Sequence, residues 1–437
     1  MLEFGIATVL LIGTILIGFP IAFSIGITTV IYILMTNPAN ISAIPIRMFS
    51  GINSFTLMAL PLFMLAAEIM IRTGISSKLF DFVRITRFGK KRGGLAYVNI
   101  LVSTIFGSIS GAALSDIAGL GAVELQAMDE DGYDKGFSCA VTAASSIQSP
   151  LIPPSNVAIL YAGTMALSVG AVLYAGLIPG LLLAFGEMAY VKLNSKKFPM
   201  HEKEYTKEEK KDIRKRGLIA MGMPLIILIG ITAGIVTPTE AAAVAVLYAL
   251  IVGIFVFHNL TLEMVISSLK AAGKTTANLF IITSLSAVFA WAIGVENIPA
   301  QLTAFMMSVT ESKYVMLLII NLIFLIVGMW METSAAILLF VPILAPMVTS
   351  MGVHPVHFAV IVIVNLTVGL ITPPVGVVLY AVANVGKEKF ETVVKSTMPF
   401  ILMGGTAADF CTGIMPVPAT YHGIPVNHTR EVLKNDF

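Results

Sequence analysis

The stretches GSISGAALSD (residues 107–116) and SSIQSPLIPPSNVAILYA (residues 145–162) decide the fold of this chain. A similar pair follows in the second half, GMWMETSAAIL at residues 328–338 and VGLITPPVGVVLYA at residues 368–381. Each copy combines a turn of small residues and hydroxyl groups with two adjacent prolines inside an apolar run. Because a proline removes a helical hydrogen bond, the carbonyl that it frees is costly in lipid, and such a break is tolerated where it lines a site. The two copies therefore predict one site built from both halves.

The composition is that of an integral membrane protein. Hydrophobic residues make up 57% of the chain and charged residues 12%, with a mean hydropathy of +0.91, whereas a soluble domain is about 45–50% apolar. Apolar stretches of about 20 residues, the length of a membrane-spanning helix, recur along the chain. No cleavable leader is evident, so the first apolar stretch is expected to be retained. Cys139 and Cys411 lie in apolar runs and are expected to be small buried residues.

The first half, residues 1–191, is predicted to hold scaffold helices, a hairpin and a broken helix. Its first apolar run is too long for one span and contains Gly18 just before Phe-Pro, so two short helices are expected there. The predicted elements are scaffold helices within 4–71 with an interfacial segment at 37–53 and a span at 54–71, a re-entrant hairpin at 94–125, a broken helix at 138–162 and a helix at 169–191.

Residues 192–216 are rich in lysine, arginine and acids and are predicted to form a solvated linker. The second half, residues 217–416, repeats the order of the first. Its predicted elements are scaffold helices within 218–293 (paired helices at 218–256, an interfacial segment at 259–273 and a span at 275–293), an amphipathic stretch at 296–312, a hairpin at 314–347, a broken helix at 357–383 and a helix at 397–415. Residues 417–437 form a polar tail to which no role is assigned.

The distribution of basic residues predicts the orientation. Lysine and arginine crowd the segment after residue 71 and the linker, which places both in the cytoplasm by the positive-inside rule. Counting spans from the linker puts the second hairpin on the outer side, with both termini. The predicted fold class is therefore an all-α integral membrane protein of two inverted repeats, with two re-entrant helical hairpins and two proline-broken helices, which is typical of secondary transporters. No HExxH, GxSxG or Walker pattern appears, so neither an enzyme nor a transport ATPase is expected.

Oxygen atoms at the tips and breaks suit Na⁺, because carbonyl and hydroxyl groups form a cage of hard ligands. Half-helices that start at the breaks would hold a substrate carboxylate by their positive ends, and neither tips nor breaks contain lysine or arginine. The predicted substrate-binding residues are Ser110, Gly111, Ser149, Pro154, Asn156, Thr333, Ser334, Pro374 and Gly376. The predicted Na⁺ ligands, for two or more ions, are Ser108, Ser110, Ser145, Ser149, Pro150, Asn156, Gly328, Thr333, Thr367, Gly369 and Thr372.

The sequence leaves plainer interpretations open. Serine and glycine in membrane helices also serve close packing. Asp116 and Glu332 are ionisable groups beside the tips, where function is the default expectation, yet Glu332 would also suit a helix cap. Trp291 and Trp330 are expected to serve packing or to anchor the chain at the membrane surface. The six histidines fall in loops, at span ends or in the tail, which argues against an embedded metal site.

Four motifs carry a resemblance to a known family: GSISGAALSDIAGLG (107–121), SPLIPPSN (149–156), VTPTEAAAVAVLY (236–248) and LTVGLITPPVG (366–376). Through them the chain resembles the large membrane subunit of tripartite ATP-independent periplasmic (TRAP) transporters, from about Phe4 to Pro399. The resemblance implies Na⁺-coupled import of an organic acid, such as sialic acid or a C4-dicarboxylate, across the bacterial inner membrane by an elevator mechanism of the ion-transporter superfamily. It also implies a small four-helix membrane subunit (Q type) and a periplasmic substrate-binding protein (P type) as partners.

One departure concerns the two breaks. Ser155-Asn156 follows the prolines in the first half but Val375-Gly376 follows them in the second, so the two ion cages need not be equivalent. A stand-alone Na⁺/carboxylate symporter of the divalent-anion type remains an alternative. An intramembrane enzyme that uses Asp116 or Glu332 is disfavoured, because a paired catalytic group at helical spacing is missing.

Overall fold

The computed structural model describes residues 2–200, 205–310 and 312–413. Within these ranges the chain is mainly helical and forms no β-strand, apart from an isolated bridge between Arg92 and Met200. Five helices of the described chain are each long and apolar enough to cross a membrane, and two bent helix pairs raise the number to seven if each pair is one span. The prediction of an all-helical membrane protein is confirmed.

The helices of the first half alternate with short breaks. Gly18, with φ of +94°, lies in the break between the first two helices, as the sequence predicts. The helices are α1 (Leu2–Leu16), α2 (Ile21–Thr36), α3 (Ile44–Ile52), α4 (Ala59–Arg72), α5 (Ile75–Arg84), α6 (Gly94–Ser110), α7 (Ala113–Asp116), α8 (Ala122–Glu130), α9 (Lys135–Ser146), α10 (Asn156–Thr164) and α11 (Val169–Leu193). A π-helical turn (Ile117–Gly121) joins α7 to α8, and the chain changes direction by 118° between α6 and this second arm.

The second half starts its first two helices with capping boxes, at Thr206 with Glu209 and at Thr237 with Glu240. Such boxes satisfy the first free amides of a helix. The helices are α12 (Lys207–Thr232), α13 (Pro238–Ile251), α14 (Leu262–Val295), α15 (Ile298–Val309), α16 (Lys313–Trp330), α17 (Thr333–Ser350), α18 (Pro355–Gly369), α19 (Val377–Gly386) and α20 (Phe390–Gly413).

Several predicted boundaries are wrong. The interfacial segment at 259–273 and the span at 275–293 form one continuous helix, α14, because no proline interrupts it and the Thr261 side chain caps its start. The basic segment that follows α4 contains a helix, α5, since its apolar residues lie on one buried face. The last helix begins at Phe390, because residues 390–396 contain no helix breaker. The predicted polar tail lies outside the described residues.

The predicted linker is shorter and better packed than expected. Its second part forms the first turns of α12, which the Thr206 capping box starts. Its first part is docked on the first half: the Phe198 ring lies 4.3 Å from the Phe137 ring and 6.1 Å from the Tyr133 ring, centroid to centroid. The Gly93 amide donates to the carbonyl of Pro199 at 3.0 Å. An aromatic side chain in the charged segment explains the difference, because burying it against other rings is favourable.

Two groups of helices meet around the interrupted stretches. In the first group, α14 packs against α2, α3 and α4, and α13 packs against α4. In the second group, α9 packs against α6, α19 and α20, and α16 packs against α18. Helix α10 also contacts α4, and α17 contacts α14. The half-helices α10 and α17, which begin after a break and a tip, therefore lie between the two groups.

Candidate substrate and ion site

The tip of the first hairpin packs directly on the first proline break. Gly111 ends α6 with φ of +61°. A Cβ atom on Gly111 would lie 2.8 Å from the carbonyl oxygen of Pro154 and 2.8 Å from the amide nitrogen of Asn156, so glycine alone allows this approach. The side-chain amide of Asn156 donates to the carbonyl of Ser110 at 2.9 Å. These contacts fasten the tip to the break.

The second hairpin packs on the second break by similar contacts. Gly376, with φ of +58°, precedes α19, and its amide donates to the carbonyl of Met329 at 3.1 Å. The backbones of Gly328 and Gly369 touch, because a Cβ atom on Gly369 would lie 2.7 Å from the Gly328 Cα atom. Each hairpin tip and the break of its own half are therefore one packed unit.

The two breaks have corresponding backbone features. Residues 147–155 separate α9 from α10, and residues 370–376 separate α18 from α19. Each break contains one cis peptide bond, at Pro153–Pro154 and at Pro373–Pro374. The structure thus has a proline break at each position where the sequence predicts one.

A cavity of about 300 Å³ lies between the two units and the first group of helices. Asn156, Thr333 and Ser334 of the predicted substrate residues line it. The wall from the interrupted stretches is formed by Ala112, Ala113, Leu114, Ser115, Pro150, Asn156, Val157, Glu332, Thr333, Ser334, Ala335, Leu338, Leu370 and Val377. The opposite wall is formed by Ile21, Met64, Thr275, Asn278, Leu279 and Ile282.

The other predicted substrate residues do not line this cavity. Ser110, Gly111 and Pro154 make the contact between tip and break described above. Ser149 is fully buried, and Gly376 is used in the contact with Met329. Pro374 is exposed.

Glu332 is the only ionisable residue among those that line the cavity in the described chain. Its carboxylate accepts hydrogen bonds from the amides of Ser334 at 2.9 Å and Ala335 at 3.2 Å, and from the Ser334 hydroxyl at 2.9 Å. Glu332 therefore caps α17, the plainer of the two roles that the sequence leaves open. The carboxylate of Glu332 also occupies the positive end of α17, where another anion would otherwise fit.

Six of the predicted Na⁺ ligands fall into two sets, while Ser110 lies in the contact between tip and break and Pro150 lines the cavity. The first set has buried side-chain oxygens without a hydrogen-bond partner: Ser149 Oγ, Asn156 Oδ1 and Thr333 Oγ1. In the second set, Ser108, Thr367 and Thr372, the hydroxyl group donates to a carbonyl three or four residues earlier in the chain. Ser145 instead belongs to a polar network described next, and Gly328 and Gly369 serve close backbone packing.

A buried polar network joins the arms of the first hairpin to α9. The Asn99 side-chain amide donates to Glu124 Oε2 at 3.0 Å and to Thr142 Oγ1 at 2.7 Å. The Ser145 hydroxyl lies 2.8 Å from Asn99 Oδ1 and 3.0 Å from Ser103 Oγ. Of these residues the sequence analysis identified only Ser145. The polar side chains and the acid inside an apolar stretch were the available signal.

The second half has a smaller network at the equivalent place. The Asn365 side chain donates to Asn321 Oδ1 at 2.9 Å, and the Asn321 side chain donates to Thr412 Oγ1 at 2.7 Å. Asn321 lies on α16 and Asn365 on α18, as Asn99 lies on α6 and Ser145 on α9. The same elements are therefore joined in both halves.

Two further features were missed. Glu187 on α11 is buried and accepts a hydrogen bond from Gln148 at 2.6 Å, and Gln148 in turn accepts one from Thr104 at 2.5 Å. The cavity wall on α14 contains Thr275 and Asn278, three residues apart. Polar residues at helical spacing in an apolar run, which share a face, could have revealed this wall.

Comparisons with known proteins agree with the fold. The family model of the DctM component of tripartite ATP-independent periplasmic transporters matches residues 8–407. The sialic acid TRAP transporter large permease protein SiaM of Vibrio cholerae is 37% identical over 393 residues, which cover 90% of this chain and 92% of that protein. The C4-dicarboxylate TRAP transporter large permease protein DctM of Rhodobacter capsulatus is 32% identical over 437 residues, which cover 95% and 97%.

A solved structure resembles the fold. The YdaH transporter of Alcanivorax borkumensis superposes with a TM-score of 0.60, covering 96% of this chain and 99% of that one, at 13% sequence identity. At that identity the likeness concerns the fold alone. The family match and the two permease relatives go further, because they span almost the whole chain, cavity and breaks included. The chain belongs to the DctM family: it is a multi-pass membrane permease component of TRAP transporters and not an enzyme.

Proposed function

We propose that this permease imports an organic acid across the bacterial inner membrane by coupling to Na⁺, and that the acid binds in the 300 Å³ cavity. The observation that carries the proposal is that half-helices from both halves begin at this one cavity. Names of relatives suggest the substrate class, because SiaM is named for sialic acid and DctM for C4-dicarboxylates. A carboxylate is common to both.

The start of α10 is the best place for that carboxylate. Asn156 and Val157 begin this helix and line the cavity, and the first amides of a helix attract anions. The corresponding amides of α17 already bind Glu332. The proposal therefore puts the carboxylate of the substrate at the first half and its uncharged, hydroxylated part toward the second.

The oxygen atoms without hydrogen-bond partners are suitable ligands for Na⁺. The partnerless oxygens of Ser149, Asn156 and Thr333 are buried, and an unsatisfied buried oxygen costs about 1–3 kcal/mol. Oxygen ligands of this kind are the ones that hard cations prefer. Ser149 and Asn156 would hold an ion in the first half and Thr333 one in the second. Bound Na⁺ would supply positive charge next to the substrate.

Import would proceed by an elevator movement of the second group of helices against the first. Helices α2, α4 and α14 form the wall that does not belong to a hairpin or a break, so the substrate would slide along them. A small four-helix membrane subunit would hold the first group, and a periplasmic binding protein would deliver the substrate. In this arrangement the linker is cytoplasmic and both termini are periplasmic.

Uptake into proteoliposomes tests the proposal. The chain is reconstituted with its small subunit, and uptake of radiolabelled sialic acid and succinate is followed with and without an inward Na⁺ gradient and the binding protein. We expect uptake only with the gradient, both membrane subunits and the binding protein. Uptake without the gradient would contradict Na⁺ coupling, and uptake by this chain alone would favour the stand-alone symporter.

A further inference from the structure

The first hairpin contains a buried carboxylate that accepts no hydrogen bond of normal geometry. Asp116 is 2% exposed, and neither of its carboxylate oxygens has a hydrogen-bond partner. An ionised carboxylate removed from water costs several kcal/mol unless it is paired or bound to a cation. Asp116 ends α7 and precedes the π-helical turn, but in contrast to Glu332 its side chain makes no capping hydrogen bond.

The groups beside Asp116 have oxygen atoms that could bind a cation. The hydroxyl groups of Ser103 and Ser149 lie next to its carboxylate. Ser149 is 0% exposed, and its hydroxyl oxygen also lacks a partner. Three separate elements, α6, α7 and the first break, thus contribute oxygens to one buried point. Four oxygens, two of them sharing one negative charge, are a donor set for a hard cation.

Glu124 adds negative charge nearby. It is 1% exposed, and it lies close enough to Asp116 for the two carboxyl groups to interact electrostatically. One of its oxygens accepts a hydrogen bond from Asn99, and the other has no partner. A cation between the hairpin arms would relieve the repulsion between two buried acids.

The second half shows that packing does not require these acids. Asn321 and Asn365 join its hairpin to α18 through neutral groups alone. The residues of α17 that follow Glu332 are Thr-Ser-Ala-Ala-Ile-Leu-Leu, which contain no acid. Since the neutral pair holds the same elements together, the acids of the first half serve another purpose.

We propose that Asp116 is a direct ligand of a hard monovalent cation bound in the first half, with Ser103 and Ser149 as its neutral ligands. The inference rests on the Na⁺ coupling proposed above and adds an anionic ligand to a site otherwise built from neutral oxygens. The positive charge of an ion at this site is balanced by the negative charge of Asp116, so the hairpin carries no net charge when the ion is bound. The ion of the second half has no such partner.

Equilibrium binding of ²²Na⁺ tests the inference on the chain purified together with its small subunit. The variants are Asp116→Asn, which keeps the shape and removes the charge, and Glu187→Gln as the matched control. Glu187 is also a buried acid in a membrane helix, but its carboxylate is hydrogen-bonded to Gln148. We expect Asp116→Asn to lose one bound Na⁺ per chain, or to need at least about tenfold more Na⁺ for half-saturation, a change of about 1.4 kcal/mol. Glu187→Gln should bind like the wild type.

Ser103→Ala covers the case in which Asp116→Asn does not fold. It removes one neutral ligand and should raise the Na⁺ concentration for half-saturation severalfold. If the wild type binds no Na⁺ when choline replaces all other cations, the proposed Na⁺ coupling fails and this inference with it. If the wild type binds Na⁺ and the folded Asp116→Asn variant binds as many Na⁺ ions with the same affinity, this inference alone is overturned. That result is expected if Asp116 is only a protonated acid. Unchanged Na⁺ binding by Ser103→Ala overturns the inference in the same way when that variant is measured instead.

Discussion

The two halves of the molecule join their hairpins to the next helix at equivalent positions but with different chemistry. In the second half, Asn321 and Asn365 form a neutral pair that Thr412 completes. In the first half, Asn99 has the place of Asn321, but it also binds a buried acid, Glu124. The comparison separates two roles: amide groups are enough to hold the elements together, and the charges are an addition that the packing itself does not need.

The largest effect is expected from removing the amide at the centre of each network. Asn99→Ala leaves the Glu124 carboxylate and the Thr142 hydroxyl without this partner, whereas Ser145 keeps its contact with Ser103. The free energy of unfolding should therefore fall by about 3 kcal/mol or more. Asn321→Ala leaves only neutral groups and should cost about 1 kcal/mol. Reversible unfolding of both variants in detergent micelles measures the difference. Equal losses would mean that the acid in the first half does not matter for stability.

The two glycines with positive φ beside the tips and breaks should differ in their tolerance of alanine. A Cβ atom on Gly111 meets backbone atoms of Pro154 and Asn156 at 2.8 Å, whereas one on Gly376 first meets the end of the Leu379 side chain at 2.8 Å. A side-chain end moves aside more easily than backbone. We expect Gly111→Ala to reduce the rate of uptake more than tenfold and Gly376→Ala to reduce it only severalfold. In both variants the left-handed backbone conformation of the new alanine costs about 1 kcal/mol.

Proteoliposome uptake at equal protein content checks this ordering. Gly5→Ala is a suitable control, because nothing lies within 4 Å of a Cβ atom there. A greater loss in Gly376→Ala than in Gly111→Ala would contradict the packing argument.

The caps of the two half-helices at the cavity give a smaller contrast. Ser155 caps α10 through a hydrogen bond from the Ala158 amide at 3.0 Å, and Glu332 caps α17 with two amides. Ser155→Ala and Glu332→Ala should each lower the free energy of unfolding by about 1 kcal/mol. Only Glu332→Ala exposes a helix start to an anion, so it should also lower the KM of an anionic substrate. An unchanged KM would show that the substrate does not approach α17.

The smallest effect concerns the helices that form the opposite wall. The segments of α3 and α4 are bent by 62° relative to each other. Helix α14, which packs against both, is continuous through Gly273, where a Cβ atom would meet nothing within 4 Å. Gly273→Ala should therefore raise the free energy of unfolding by up to about 1 kcal/mol. Uptake should not change if α14 works as a rigid wall. Slower uptake by a more stable variant would indicate that α14 bends at this glycine during transport.

The sequence predicts the parts of this fold that have strong local causes. The double prolines of both halves leave breaks because proline cannot complete a helical hydrogen bond, and Thr237 with Pro238 starts α13 where the motif places it. Boundaries without such causes were wrong, as in α14. A long run of helix-forming residues contains no proline or capping residue that would show where one helix ends and the next begins. The polar residues of a membrane helix were assigned less well, since spacing shows which residues share a face but not which neighbour that face meets.

The candidate site shows the same limit. Asn156, Thr333 and Ser334, which lie beside a tip or a break, line the cavity, and their binding roles stay predictions. Met64 and Thr275 come from distant helices, and only the packing of the two groups brings them to the opposite wall. The cap made by Glu332 is one of two roles that the sequence allows, and the hydrogen bonds from Ser334 and Ala335 show it.

The docking of Phe198 sets the length of the tether between the two halves. Because the chain remains attached to the first half as far as Met200 and enters α12 after Thr206, six residue steps connect the two attachment points. A fully extended chain covers at most about 3.6 Å per step, or about 22 Å in all. However far the hairpin-bearing helices travel relative to the rest, these two points can separate no further without pulling Phe198 from its aromatic neighbours. In the movement proposed above, the linker would therefore keep these two points within that distance of each other.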